Sequence, residues 1–128
     1  MSKIIEGLYY TEDHEWIQID GDTATIGITD FAQSSLGDIV FVELPEEGET
    51  LEASNSFGVV ESIKSVSDLY TPLTGEVVEK NNTIEDSPES LNEDAYASWL
   101  VKIKLSNKDE IKSLMDSKAY QNYCEANS

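Results

Sequence analysis

Alternation of apolar and polar positions runs through Ile17 and Ile19, then Ala24, Ile26 and Ile28, on either side of Asp20-Gly21-Asp22. Apolar residues at every second position turn one face of an extended chain inwards, and an Asp-Gly between two such runs predicts a β-hairpin. Thr29 to Gly37 breaks the alternation: Thr29 or Asp30 is placed to cap a helix of two turns at most, and Gly37 to end it. Ile39 to Leu44 is β-rich until Pro45-Glu46-Glu47-Gly48 stops it, and Phe57 to Ile63 reads as another strand. A polar tip follows, with a tight turn expected at residues 64–67, before Leu69 to Glu79 resumes an extended pattern.

Asn81 to Tyr96 is polar, and Ser87-Pro88 suits a helix cap and first helical residue, so this stretch reads as a long ordered loop with one short helical turn. Trp99 to Leu105 alternates over its second half, which places Lys102 and Lys104 on an outer face. Beyond it, Ser106-Asn107-Lys108-Asp109-Glu110 offers a capping pattern ahead of Ile111, Leu114 and Met115. Ala119, Tyr120, Tyr123 and Cys124 then repeat the i, i+3, i+4 spacing of a second helix. The expectation is one mainly β domain over residues 1–128, with a β core over about residues 8–105 and small helices over about 107–125.

Charge narrows the partners. The chain of 128 residues holds 8 Lys against 26 acids, a formal net charge of −18. Such a surface disfavours nucleic-acid phosphates and anionic lipid, and no apolar run approaches the roughly 20 residues of a membrane-spanning helix. The first residues, Met1-Ser2-Lys3-Ile4-Ile5-Glu6-Gly7, have neither a long apolar region nor a transit-like composition, and Cys124 has no cysteine partner. A soluble protein of a bacterial-type cytoplasm, monomeric by default, is the expectation.

The charge is also uneven. Between Ile4 and Glu79 there is one cation, Lys64, against 17 acids. An isolated Lys is either a solvated residue, weakly paired with Glu61 or Asp68, or a reserved amine, since a compact nucleophilic head on a flexible stem suits acylation. Its predicted place between two strands presents it to solvent on a rigid support.

Other constellations are weaker. His14-Glu15-Trp16 begins a zinc pattern, but position 18 is Gln and the chain has no second His, so no metal site is expected. Asp20 and Asp22 lack the Gly and Glu offsets of a calcium loop and read as turn residues. No Gly-x-Ser-x-Gly elbow accompanies the single His, and Cys124 lies on an apolar stripe where a small hydrophobe is the commoner role. No catalytic residues are assigned.

The spacing of Val59-Val60-Glu61-Ser62-Ile63-Lys64-Ser65, Pro72 and Gly75-Glu76-Val77-Val78 resembles lipoyl- and biotinyl-carrier domains. The wider text resembles the H proteins of the glycine cleavage system. The matching stretches are His14-Glu15-Trp16, Thr23 to Gln33, Leu36 to Pro45, Glu61 to Ser65, Ser67-Asp68, Pro72 to Glu79, Leu91 to Tyr96 and Trp99-Leu100, in that family's order over roughly residues 8 to 125. Ile63 and Ser65 stand where Val and Ala are usual, Ala95 replaces a Pro, and Ala97-Ser98 replaces a Gly-containing pair; none of these touches the amine.

The resemblance implies a lipoyl-domain-like barrel-sandwich hybrid of antiparallel strands with short helices. It also implies (R)-lipoic acid in amide linkage to Lys64. The chain would then be a carrier rather than an enzyme, moving between glycine decarboxylase (P protein), the tetrahydrofolate-dependent aminomethyltransferase (T protein) and dihydrolipoyl dehydrogenase (L protein). Glu61 resembles the acid read by lipoyl-attachment enzymes, though a solvated strand residue fits the local pattern as well. Glu15 and Asp68 resemble the acids that hold the aminomethyl-loaded arm, with hairpin solvation and turn capping as their plain roles. Biotin is the nearest rival, but Ile63 and Ser65 flank the lysine where biotin sites carry Met. A lipoyl relay for other dehydrogenase complexes and an unmodified acidic interaction module complete the alternatives.

Overall fold

The alternating segments fold into two antiparallel sheets. The computed structural model describes residues 3–127. Its strands are β1 (Tyr9–Tyr10), β2 (Glu15–Asp20), β3 (Thr23–Ile28), β4 (Ile39–Glu43), β5 (Thr50–Leu51), β6 (Ser56–Ser62), β7 (Val66–Tyr70), β8 (Gly75–Lys80) and β9 (Val101–Leu105). The α-helices are α1 (Asp30–Leu36), α2 (Asn82–Asp86), α3 (Ser90–Glu93) and α4 (Ser117–Asn127), with a 3-10 helix at Lys108–Ser113. One sheet has the order β1-β2-β3-β9-β8-β5 and the other β4-β6-β7. This is the mainly β fold with short helices and a C-terminal helical segment that the sequence led us to expect.

Asp20 pairs with Thr23 across the β2–β3 hairpin, so Gly21 and Asp22 form the loop. Gly21 takes φ +62°, and a positive φ confined to the first loop residue matches the type II′ turn whose twist suits paired strands. Thr29 caps α1 by accepting the Ala32 N–H at 3.2 Å, and Gly37 ends it at φ +80°. Val101 and Ile103 are buried while Lys104 is exposed, as the alternation of β9 requires.

Several boundaries differ from the sequence reading. The turn carrying Lys64 is shorter than 64–67, because β7 already starts at Val66. Leu69 to Glu79 is not one extended run: β7 and β8 lie in different sheets, and Thr71-Pro72-Leu73-Thr74 carries the chain between them. Residues 81–96 hold two helical segments, and Ser87 closes α2 by donating its N–H to the Thr83 carbonyl. The first C-terminal helix is 3-10, with Asn107 as cap, and Ala119 of α4 is exposed rather than part of the buried stripe.

Ile17, Ile26 and Ile28 of the larger sheet pack with Val42, Val60 and Leu69 of the smaller one, and Leu73, Leu91 and Leu100 fill between them. Each such side chain contributes roughly 1.5–3 kcal/mol when removed from water. A second cluster of Tyr10, Trp16 and Tyr120 forms where α4 closes over the N-terminal strands. Gly27 lies opposite Trp16 in the β2–β3 register, and a Cβ there would stand 2.5 Å from the indole, so no other residue fits without displacing the ring. Among the described residues no helix is long and apolar enough to cross a membrane.

Candidate functional site

Lys64 occupies the apex of the β6–β7 hairpin. Glu61 and Val66 are the last register pair, and Ser62 N–H donates to the Ser65 carbonyl at 2.8 Å to close the turn. The Ser62 hydroxyl oxygen accepts the N–H groups of Lys64 and Ser65, each at 3.2 Å, so one buried side chain fixes the backbone beneath an exposed lysine. Ile63 N–H donates to the Asp38 carbonyl at 3.0 Å, which ties the turn to the start of β4. The lysine stem crosses Gly37, where a Cβ would lie 3.2 Å from Lys64 Cε. Glycine at position 37 therefore serves both the left-handed helix end and the path of the stem.

Asn92 holds this corner from behind. Its Oδ1 accepts the Ile39 N–H at 2.8 Å, and its Nδ2 donates to the Gly37 carbonyl at 2.8 Å and to Gln33 Oε1 at 3.0 Å. Asn92→Ala strands the N–H of nearly fully buried Ile39, a loss of about 1–3 kcal/mol that chemical denaturation will read. Ser62 and Asn92 both lie in the matching sequence stretches, but their roles depend on contacts that spacing does not reveal.

The other lysines with a mapped partner are engaged. Lys80 bridges Glu46 at 3.2 Å and Glu85 at 3.1 Å, Lys102 faces Glu79 at 3.9 Å and lies over the Trp99 ring, Lys108 meets Asp22, and Lys112 meets Asp109 at 3.9 Å.

Next to the hairpin lies a cleft of about 180 Å³, walled by α1 and the turn before β2 on one side and by β6–β7 on the other. Phe31, Ala32 and Leu36 supply apolar surface, and Glu15, Ser67 and Asp68 the polar groups. Glu15 and Asp68, 53 positions apart in the sequence, are thus brought to one cavity, and Lys64 is anchored beside it at Gly37. Glu61 lies outside the cleft. It stands half-buried between Phe41 and Val66 in register on the outward row of the smaller sheet.

Glu15 is not a solvated hairpin acid. It is 3% exposed, its Oε2 accepts the Tyr70 N–H at 2.9 Å, and its Oε1 pairs with the Thr11 hydroxyl at 3.3 Å. The first bond crosses from β2 to β7 and so joins the two sheets. Burial pushes its carboxyl up to about 8, opposed by the Tyr70 bond, supported by the charge of Asp13 and opposed again by the Thr11 bond. An acid held this way is largely protonated at neutral pH and ionises when a cation reaches it. Asp68 is exposed at the rim, within 3.5 Å of the Tyr70 hydroxyl.

Around Lys64 the surface is unusually apolar. Ile63, Val66, Val40 and Phe41 are 69%, 65%, 57% and 43% exposed. A register shift between Ile39 and Phe41 turns two successive β4 residues outward, which alternation would not have predicted. Asp38, Glu43, Glu61 and Asp68 border this patch.

The chain is similar to known proteins over nearly its whole length. The family model described as glycine cleavage H-protein matches residues 8–127. The glycine cleavage system H protein of Alkaliphilus oremlandii is 49% identical over 123 residues, covering 96% of this chain and 97% of that one. That of Halothermothrix orenii is 54% identical over 121 residues, with 94% of each chain covered. The crystal structure of a glycine cleavage system H protein from Mycobacterium marinum superposes with a TM-score of 0.83 at 40% identity, covering 97% of this chain and 98% of that one. The chain belongs to the glycine cleavage H-protein family.

Proposed function

We propose that the protein is the lipoyl carrier of the glycine cleavage system, with lipoate in amide linkage to Lys64. The observation that carries this reading is an exposed lysine on a rigid hairpin apex, its stem against Gly37, beside a cleft that has Glu15 and Asp68 among its lining residues. The residues fit the group. The amine is accessible, the turn beneath it is fixed by Ser62, and the apolar cleft wall suits an alkyl chain while its acids suit a cationic end. When bound, the lipoyl dithiolane supplies the acceptor for the aminomethyl group of glycine and is reoxidised after the one-carbon unit has passed to tetrahydrofolate.

The chain's own residues position, shelter and present. Lysine stem and lipoyl chain together reach roughly 14 Å, so the end of the arm either lies in the cleft or enters a docked enzyme. Tethering raises its local concentration at each partner without any acid–base group of the carrier taking part. In the cleft, Glu15 would pass its proton to the amine of a loaded arm and face the ammonium so formed, and Asp68 would add a second carboxylate at the rim. The surrounding walls exclude water from the pair, which strengthens it and slows hydrolysis.

Glu61 is the side chain we assign to the lipoyl-attachment enzymes, because it stands on the outward row three residues before the amine. The apolar patch with its acidic border is the docking face for glycine decarboxylase, the aminomethyltransferase and dihydrolipoyl dehydrogenase, whose complementary surfaces would be apolar with basic rims. Acylation removes the only positive charge between Ile4 and Glu79 and makes that face more uniformly acidic. Affinity of the lipoylated chain for glycine decarboxylase should therefore weaken by roughly threefold or more as ionic strength rises from about 0.05 to 0.5 M. Equilibrium binding across that series checks this, and a flat response would remove charge steering from the account.

A further inference from the structure

Tyr120 is fully buried in α4, its ring stacked on Tyr10 with centroids 4.5 Å apart and planes 5° from parallel. Its hydroxyl joins two hydrogen bonds of 2.8 Å, one with Thr29 Oγ1 and one with His14 Nδ1. Thr29 is the cap of α1 and already accepts the Ala32 N–H. His14 sits at φ +64°, a left-handed conformation that costs a residue with a Cβ roughly 1–2 kcal/mol and persists where neighbours fix it. Its ring stacks on Phe31 at 4.3 Å and 23°, and His14, Phe31 and Ala32 all wall the cleft beside Lys64.

One direction that the contacts allow has the Thr29 hydroxyl donating to the Tyr120 oxygen and the phenolic proton on a bare His14 Nδ1, which leaves the imidazole proton on Nε2. Burial lowers the His14 pKa against the opposing charge of Asp13, in keeping with a neutral ring. Tyr120 does not itself line the cleft, yet it holds both a wall residue and the cap of the wall helix.

We infer that Tyr120 is a positioning residue for the arm cleft: its hydroxyl fixes the His14 ring and tautomer against Phe31, so the C-terminal helix sets how long a loaded arm stays sheltered. This rests on the cleft reading of the preceding section. Tyr120→Phe in the lipoylated protein keeps the stack on Tyr10 and removes only the hydroxyl. Nitrogen-15 NMR of the ring should change from a dominant Nε2–H tautomer to a mixture. After loading with glycine and glycine decarboxylase, the arm should lose its cargo to water at least about threefold faster. His14→Asn is the second variant; Asn tolerates φ +64°, and removing the ring should hasten the loss equally.

Ala32→Phe, which fills the cleft and keeps the residue-32 N–H that Thr29 accepts, separates the two layers. If it hastens the loss while Tyr120→Phe shifts the tautomer and leaves the loss unchanged, the positioning role is overturned and the cleft reading stands. An unchanged dominant tautomer in Tyr120→Phe also overturns the positioning role. If Ala32→Phe leaves the loss rate unchanged, the cleft reading falls and the positioning role falls with it.

Discussion

Replacing Lys64 by Arg leaves a folded chain that carries no lipoyl group, and intact mass spectrometry of protein made with lipoate available should show one unmodified species. Arginine keeps the charge and a similar stem length, but its guanidinium stays protonated and does not act as an acyl acceptor. The side chain is exposed and the turn beneath it is held by Ser62 and Ser65 backbone and side-chain groups, so stability should change by no more than about 0.5 kcal/mol. Because Lys80, Lys102, Lys108 and Lys112 are each engaged with carboxylates, none of them stands as a substitute acceptor on a comparable apex. A lipoyl mass on the Arg variant would remove Lys64 from the account, whereas an unmodified wild-type chain would favour a plain acidic interaction module.

Glu15→Gln should make the protein more stable at neutral pH and worse at its task. The folded carboxyl titrates near 8 against an ordinary value of 4.5, so between these values the folded state keeps a proton that the unfolded chain has released. Folding then takes up a proton, raising the pH opposes it, and the contribution levels off below about pH 4.5 and above about pH 8. From pH 5 to pH 7 the wild type should lose about 2–3 kcal/mol through this one group, a slope that Gln abolishes. Glutamine is the neutral isostere of the protonated form, and its carbonyl accepts the Tyr70 N–H, so the bond between the sheets survives. What it lacks is the charge for a cationic arm, and a charge-assisted bond of about 1.5–3 kcal/mol corresponds to a loaded arm lost at least about tenfold faster. Denaturation at pH 5 and pH 7, with the rate of cargo loss, reads both halves. Gain of stability without faster loss would leave Glu15 as a structural bridge alone.

That bridge shows what the sequence conceals. The β2–β3 hairpin, the capped α1 and the alternation of β9 are local, and residues close together in the sequence specify them. Lys64 was legible for a related reason, since strand-forming runs on both sides leave it in a turn. The burial of Glu15 depends on a Tyr70 N–H 55 positions away, and a carboxylate between His14 and Trp16 carries no mark of that partner. The two-residue strands β1 and β5 are too short for periodicity to register, and the β4 irregularity exposes Val40 and Phe41 against the expected alternation. Tyr120 falls on an apolar stripe, but its hydroxyl contacts lie 91 and 106 positions away, so a role at the cleft has no local signature.

The measurement that tests the carrier role most directly is glycine–bicarbonate exchange by glycine decarboxylase, with natively lipoylated chain titrated against the Lys64→Arg variant. Exchange of labelled bicarbonate into the glycine carboxyl should rise with the wild-type chain to saturation and stay at the level of decarboxylase alone with the variant. Equal exchange with both chains, or none with a lipoylated wild type, would contradict the assignment.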